Sequence, residues 1–206
     1  GRWLLIAKLG AVRARLVGIA LIGIMTLALG TTTARRNLDY RSASALWESA
    51  VLAVPYSARA HTNLALAQEA SGCYEDAVAS YRRALALDPA LAEAHNNLGG
   101  ALMRLERWSE ALDAYRRALA LRPYFLAAHF NLGRALTRQG QYTEAVEHLN
   151  RVLLMEPDMF AARLLIGEAL SALGLVDQAS VHLERARALR PDDERVRTAL
   201  KGVREK

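Results

Sequence analysis

The chain has one cysteine, Cys73, among 206 residues. It therefore forms no internal disulfide and no cysteine-rich metal site, and the lone thiol reads as a small turn or packing residue. Aromatic side chains make up only 6% of the chain. Alanine and leucine dominate instead, as in helices packed closely through small residues. Unbalanced charge is also absent from most of the sequence. The net charge of +6 sits wholly in residues 1–36, where Arg2, Lys8, Arg13, Arg15, Arg35 and Arg36 meet no acid. The remaining stretch carries 21 basic against 21 acidic residues. A nucleic-acid-binding domain carries positive charge where it docks, so no nucleic-acid partner is expected. No Gly-rich phosphate loop, H-E-x-x-H or G-x-S-x-G occurs. No catalytic residue and no cofactor are expected in this segment.

Proline is scarce too, and its placement is informative. Pro55, Pro89, Pro123, Pro157 and Pro191 follow one another at intervals of 34 residues. Proline ends helices, because it lacks the N–H and clashes with the preceding turn. A stop signal at a fixed interval marks a recurring structural unit, and periods of this size belong to stacked arrays. With each proline at unit position 32, four complete units align as 58–91, 92–125, 126–159 and 160–193. Position 8 reads Ala65, Gly99, Gly133, Gly167, and position 20 reads Ala77, Ala111, Ala145, Ala179. Small residues there let the two helices of a unit approach closely. Larger residues at position 7 (Leu64, Leu98, Leu132, Ile166) and position 24 (Tyr81, Tyr115, Leu149, Leu183) are expected to fill the space between units. Gly72, Gly140 and Gly174 share position 15, where the first helix should end on a positive φ. The second unit has Glu106 there.

This pattern resembles the tetratricopeptide repeat (TPR) family over about 58–191. The resemblance rests on Leu at 7, Gly or Ala at 8, Ala at 20, an aromatic at 24, Ala at 27 and Pro at 32. It implies an all-α fold, a right-handed α-solenoid of helix hairpins. Position 4 departs from the family, with His61, His95, His129 and Arg163 in place of tryptophan. Residues 192–206 are charged and helix-prone, suiting a C-terminal capping helix. Upstream, Ala43, Trp47, Ala50 and Pro55 occupy positions 20, 24, 27 and 32 of half a unit. Residues 38–57 are accordingly read as a half-repeat whose helix docks on the first full unit.

Residues 1–37 read as a membrane segment. Leu16 to Ala34 are 19 consecutive uncharged residues, bracketed by Arg13 and Arg15 before and Arg35 and Arg36 after. At ~1.5 Å per residue such a helix spans ~28 Å, close to the hydrocarbon core of a bilayer. The run has no polar stripe and lacks a signal-peptide cleavage pattern. A transmembrane helix over about 16–34 is expected. The excess of basic residues before it places the repeats on the extracytoplasmic, periplasmic or lumenal, side. The opening Gly-Arg-Trp-Leu-Leu-Ile, without methionine, reads as a cut from a longer protein.

The five histidines share positions 4 (His61, His95, His129) and 23 (His148, His182). Repeat-phase packing accounts for all five, and no metal site is expected, since zinc needs three or four converging ligands. Glu110 and Glu144 share position 19 and read as solvated, helix-favouring residues. The functional signal is an asparagine ladder: Asn63, Asn97 and Asn131 at position 6, with Asn96 beside them at position 5. By resemblance, first helices line a concave groove. An amide both donates and accepts, so such a row grips the backbone of an extended peptide. The repeats of nucleocytoplasmic O-GlcNAc transferase carry a similar ladder, and Ala94–Gly99 looks like it. Arg59, Glu93, Phe130, Arg134 and Glu168 complete the candidate groove. The basic clamp of chaperone-tail binders is missing, because position 5 reads Thr62, Asn96, Phe130, Leu164.

The resulting expectation is a membrane-anchored interaction module for a protein or peptide partner. A second reading comes from the junction at Arg36–Trp47, which resembles the C-terminal end of transmembrane-and-TPR proteins of O-mannosyltransferase type. There, catalysis would lie upstream and the repeats would present the acceptor.

Overall fold

The computed structural model describes residues 43–205. The apolar run 16–34, like all residues before 43, lies outside the described residues. Among the described residues all regular structure is helical, and no helix is long and apolar enough to cross a membrane. The chain is helical over 43–53 (α1), then through α2 (Ala58–Ala70), α3 (Tyr74–Leu87), α4 (Ala92–Arg104), α5 (Trp108–Leu121) and α6 (Leu126–Arg138). There follow α7 (Tyr142–Met155), α8 (Phe160–Ala172), α9 (Val176–Leu189) and α10 (Glu194–Arg204). Each even-numbered helix from α2 to α8 pairs with the helix after it, and both sets advance in steps of 34 residues.

Local chemistry sets these boundaries. Each first helix closes with the same pair of backbone bonds, from unit position 15 back to 12 and from 16 back to 11. In unit one Gly72 N–H donates to the Glu69 carbonyl at 2.9 Å and Cys73 N–H to that of Gln68 at 2.9 Å. This closure needs a left-handed residue at position 15. Gly72, Gly140 and Gly174 supply φ of 79°, 75° and 78°, and Glu106 is forced to 58°. Each second helix ends two residues before the proline, and the cap residue between them is driven into extended backbone by proline's ring. Asp88 and Arg122 have φ of −140° and −136°.

Positions 8 and 24 pack directly on one another inside each unit, rather than position 24 filling the space between units. A Cβ at Gly99 would lie 2.6 Å from the Tyr115 ring, and one at Gly133 or Gly167 equally close to Leu149 or Leu183. Between units the joint is polar. His61, His95 and His129 each bring Nε2 within 3.0, 3.1 and 2.9 Å of the carbonyl oxygen of Pro55, Pro89 and Pro123. Arg163 donates to the Pro157 carbonyl from Nε and Nη2, at 2.9 and 2.6 Å. Position 4 thus requires a side-chain N–H. Tryptophan, histidine and arginine all provide one, which explains the departure from the family pattern.

Successive first helices approach one another closely (α4–α6, α6–α8, α8–α10), while the second helices stand farther apart. The array therefore bends toward its first helices, which line the inner face. The buried core runs from Ala65 through Tyr81, Leu102, Tyr115 and Leu136 in one cluster, then from Leu149 through Ile166 to Leu183 in a second. At the far end, α10 packs on α8 and α9 and buries Val196, Leu200 and Val203. In α1, Ala43, Trp47 and Ala50 are half-buried.

Candidate functional site

The inner face is built from positions 2, 5, 6 and 9 of α2, α4, α6 and α8. Between α2 and α4 it opens into a cleft of about 640 Å³ that gathers Arg59, Asn63, Glu93 and Asn97. Asn63 has no hydrogen-bond partner among the described residues. Arg59 and Glu93 are exposed at the rim, and Glu93 accepts from Arg122 at 3.0 Å.

The other asparagines are not independent pegs. Arg134 Nη2 donates to Asn131 Oδ1 (3.4 Å), Asn131 Nδ2 to Asn96 Oδ1 (3.0 Å), and Asn96 Nδ2 to Asn97 Oδ1 (3.1 Å). These bonds run along the inner face from α6 to α4. Asn96 is buried at 8% exposure, the interior link of the chain. Each amide retains a second N–H for other partners. Phe130 is half-buried, with the Arg134 guanidinium 5.8 Å above its ring. Glu168 stands apart in α8. Burial raises the pKa of its carboxyl, and Arg195 of α10 opposes that shift.

Sequence reasoning missed several inner-face residues. Thr62, Leu66, Asp88 and Leu91 also line the cleft. Tyr81, assigned to packing alone, donates its hydroxyl to Glu69 Oε2 at 2.6 Å. Desolvation, reinforced by that carboxylate, pushes the phenol far above its ordinary pKa. Tyr115 holds the same position one unit on, but Met103 replaces the acid, and its buried hydroxyl has no partner. Its pKa is pushed up to about 12, mainly by burial. A tyrosine at position 24 with an acid at position 12 was the available signal.

One expectation for the outer face needs correction. Glu110 and Glu144 are not simply solvated: Glu110 accepts from Arg82 of the preceding unit at 2.6 Å, and Glu144 from Arg116 at 2.9 Å. Glu110 also takes a two-point bond from Arg107, which holds its carboxyl below the usual pKa. His129 and His148 face each other with Nδ1 atoms 2.9 Å apart. Desolvation lowers the pKa of both rings. Among the described residues no group of three or more His, Cys, Asp or Glu side chains converges as a metal-ligand set.

Models of the tetratricopeptide repeat match residues 70–106, 90–155 and 136–202. No curated protein matches the chain in sequence. Among solved structures it is similar to MamA, at 26% identity over 76% of this chain and 92% of that one, with a TM-score of 0.71. It is similar to YrrB, described as a TPR protein with an unusual peptide-binding site, at 23% identity, 79% and 84% coverage and a TM-score of 0.72. PilW, described as a widely conserved type IV pilus biogenesis factor, shows 26% identity, 84% and 86% coverage and a TM-score of 0.68. Repeat-model matches that overlap from residue 70 to 202, on hairpins stepping by the same interval, lead to one conclusion: the chain is a tetratricopeptide-repeat protein, an all-α helical solenoid.

Proposed function

We propose that this chain is a membrane-anchored module that holds an extended peptide or protein segment along its inner face. The observation that carries the reading is the polar line from Asn63 through Asn97 and Asn96 to Asn131. Asn97, Asn96 and Asn131 are fixed by mutual hydrogen bonds and so preorganised, with Asn63 beside them in the cleft, so a ligand's backbone meets those three with less ordering cost. Mixed charge at the rim, Arg59 beside Glu93 and Asp88, favours a segment of no strong net charge. The apolar run Leu16–Ala34 serves as the anchor, with the repeats on the extracytoplasmic side.

Peptide-library selection on the full chain tests the groove. Selected peptides should lose at least ten-fold in affinity on a variant combining Asn63→Ala, Asn97→Ala and Asn131→Ala, while circular dichroism shows unchanged helix content. Equal affinity for a folded variant would remove the reading. The junction at Arg36–Trp47 supports a second role for the same groove, presenting an acceptor to a membrane glycosyltransferase of O-mannosyltransferase type encoded upstream. Sequencing upstream of Gly1 decides it: many hydrophobic spans with an early acidic loop support the role, and a start codon within a few residues excludes it.

A further inference from the structure

A row of amides grips main-chain groups, and a main chain repeats those groups at every residue. Asn63, Asn97 and Asn131 alone would therefore hold an extended segment in many registers of similar energy. A register is fixed only where an apolar side chain must find an apolar place.

Unit position 9 lies about one turn beyond the position-6 residue on the same face of each first helix. The four units fill it with Leu66, Gly100, Arg134 and Glu168. In unit two the glycine offers no side chain. In unit three Arg134 donates to Asn131 Oδ1 at 3.4 Å, and in unit four Leu165 replaces the amide. Only unit one sets an unpartnered amide, Asn63, beside an apolar side chain.

Leu66 lines the cleft between α2 and α4 and is 43% exposed. The charges of that cleft lie toward the start of the two helices. Arg59 stands about 10 Å from Leu66 along the axis of α2, and Glu93 holds the same unit position in α4. Glu93 is engaged by Arg122 at 3.0 Å, and Asp88 accepts from the Ala90 N–H at 3.0 Å. The Thr62 hydroxyl donates back to the Ala58 carbonyl at 2.9 Å.

We propose, on the reading that the inner face holds an extended segment, that Leu66 fixes the register of that segment by seating one apolar side chain. Asn63 then bonds the main chain of the same residue. Residues three apart on a helix have Cβ atoms about 5–6 Å apart, within the span from a residue's own amide to the tip of an aliphatic side chain. Alternate side chains of an extended segment point to opposite sides, so the residues flanking the seated one face away from Leu66 and are free to vary. The partner is thus an extended stretch with one obligatory apolar residue in an otherwise permissive sequence.

The probes are synthetic peptides selected from a random library on the full chain. They should share one apolar residue at a fixed place. Replacing that residue with alanine should weaken binding about ten-fold, the worth of seating an aliphatic side chain, but no more than two-fold on a Leu66→Ala protein. A photocrosslinker at a fixed offset from the apolar residue should mark one inner-face position in the parent and several in Leu66→Ala. Circular dichroism should show the parent's helix content in that variant, because alanine favours helix and the leucine it replaces is partly exposed. Equal losses on both proteins, or crosslinks scattered in the parent, would overturn the register seat and leave the amide groove standing. Peptides that bind the combined Asn63, Asn97 and Asn131 alanine variant as tightly as the parent would remove the groove, and the seat with it.

Discussion

Replacing Glu106 with glycine should stabilise the array, and the expected size follows from the backbone. Glu106 is the non-glycine residue with positive φ among those described, at 58°. A left-handed conformation costs an L-residue about 1–2 kcal/mol relative to the right-handed one. Glycine escapes that cost but gives back about 0.4–1 kcal/mol through its freer unfolded chain. The side chain is exposed and makes no hydrogen bond or ion pair among the described residues, so nothing else is lost. Its closing bond, Glu106 N–H to the Met103 carbonyl, is the longest of the four equivalents at 3.3 Å. The net gain is about 0.5–1 kcal/mol, or roughly 1–4 °C in Tm for an array of this size. Thermal and urea unfolding followed by circular dichroism would measure it. Glu106→Ala separates conformation from charge, because alanine removes the carboxylate and keeps the strain. It should leave stability within a few tenths of a kcal/mol of the parent. A Glu106→Gly protein that melts no higher, or an alanine variant that matches it, would refute the reasoning.

The two helical glycines of α4 should respond oppositely to alanine. Gly99→Ala forces a Cβ to 2.6 Å from the buried Tyr115 ring and should cost about 1–3 kcal/mol. Gly100→Ala meets nothing nearer than Glu69 Oε1 at 4.0 Å and should gain about 0.5–1 kcal/mol of helix propensity; urea midpoints that move together would contradict this packing. Stability should also fall as pH drops below about 6.5, because the unfolded histidines take up protons that the desolvated His129–His148 pair resists. Glu144 and Glu147 partly offset that resistance and Arg151 adds to it. His148→Ala should therefore lose less stability between pH 7 and pH 5 than the parent, and an unchanged pH slope would remove the pair from the account.

What the sequence made legible were features imposed by the backbone of one residue. Proline's missing N–H and glycine's tolerance of positive φ act locally, so the regular spacing of Pro55 to Pro191 and the shared place of Gly72 and Gly140 marked the helix ends. The position of Glu106 implied its strained backbone on the same grounds. Features that depend on where a long side chain swings were not legible. Glu110 is a solvated acid by propensity, and only the separation of the second helices brings Arg82 across to it. The asparagine row was visible as a spacing, but its linkage through Asn96 depends on rotamers that join α4 to α6. The histidines at position 4 looked like exceptions because their volume differs from tryptophan's. What His61, His95, His129 and Arg163 share is a nitrogen-bound hydrogen within reach of a proline carbonyl.

That carbonyl makes the thirty-four-residue step an indivisible module. The acceptor closes one unit and its donor opens the next, so every seam in the array is the same seam. A chain lengthened or shortened by whole units rejoins acceptor to donor and needs no new junction. An excision of any other length strands a main-chain oxygen at the seam and throws the downstream helices out of phase. Evolution by duplication is thereby easy for this architecture, and drift in unit length is not.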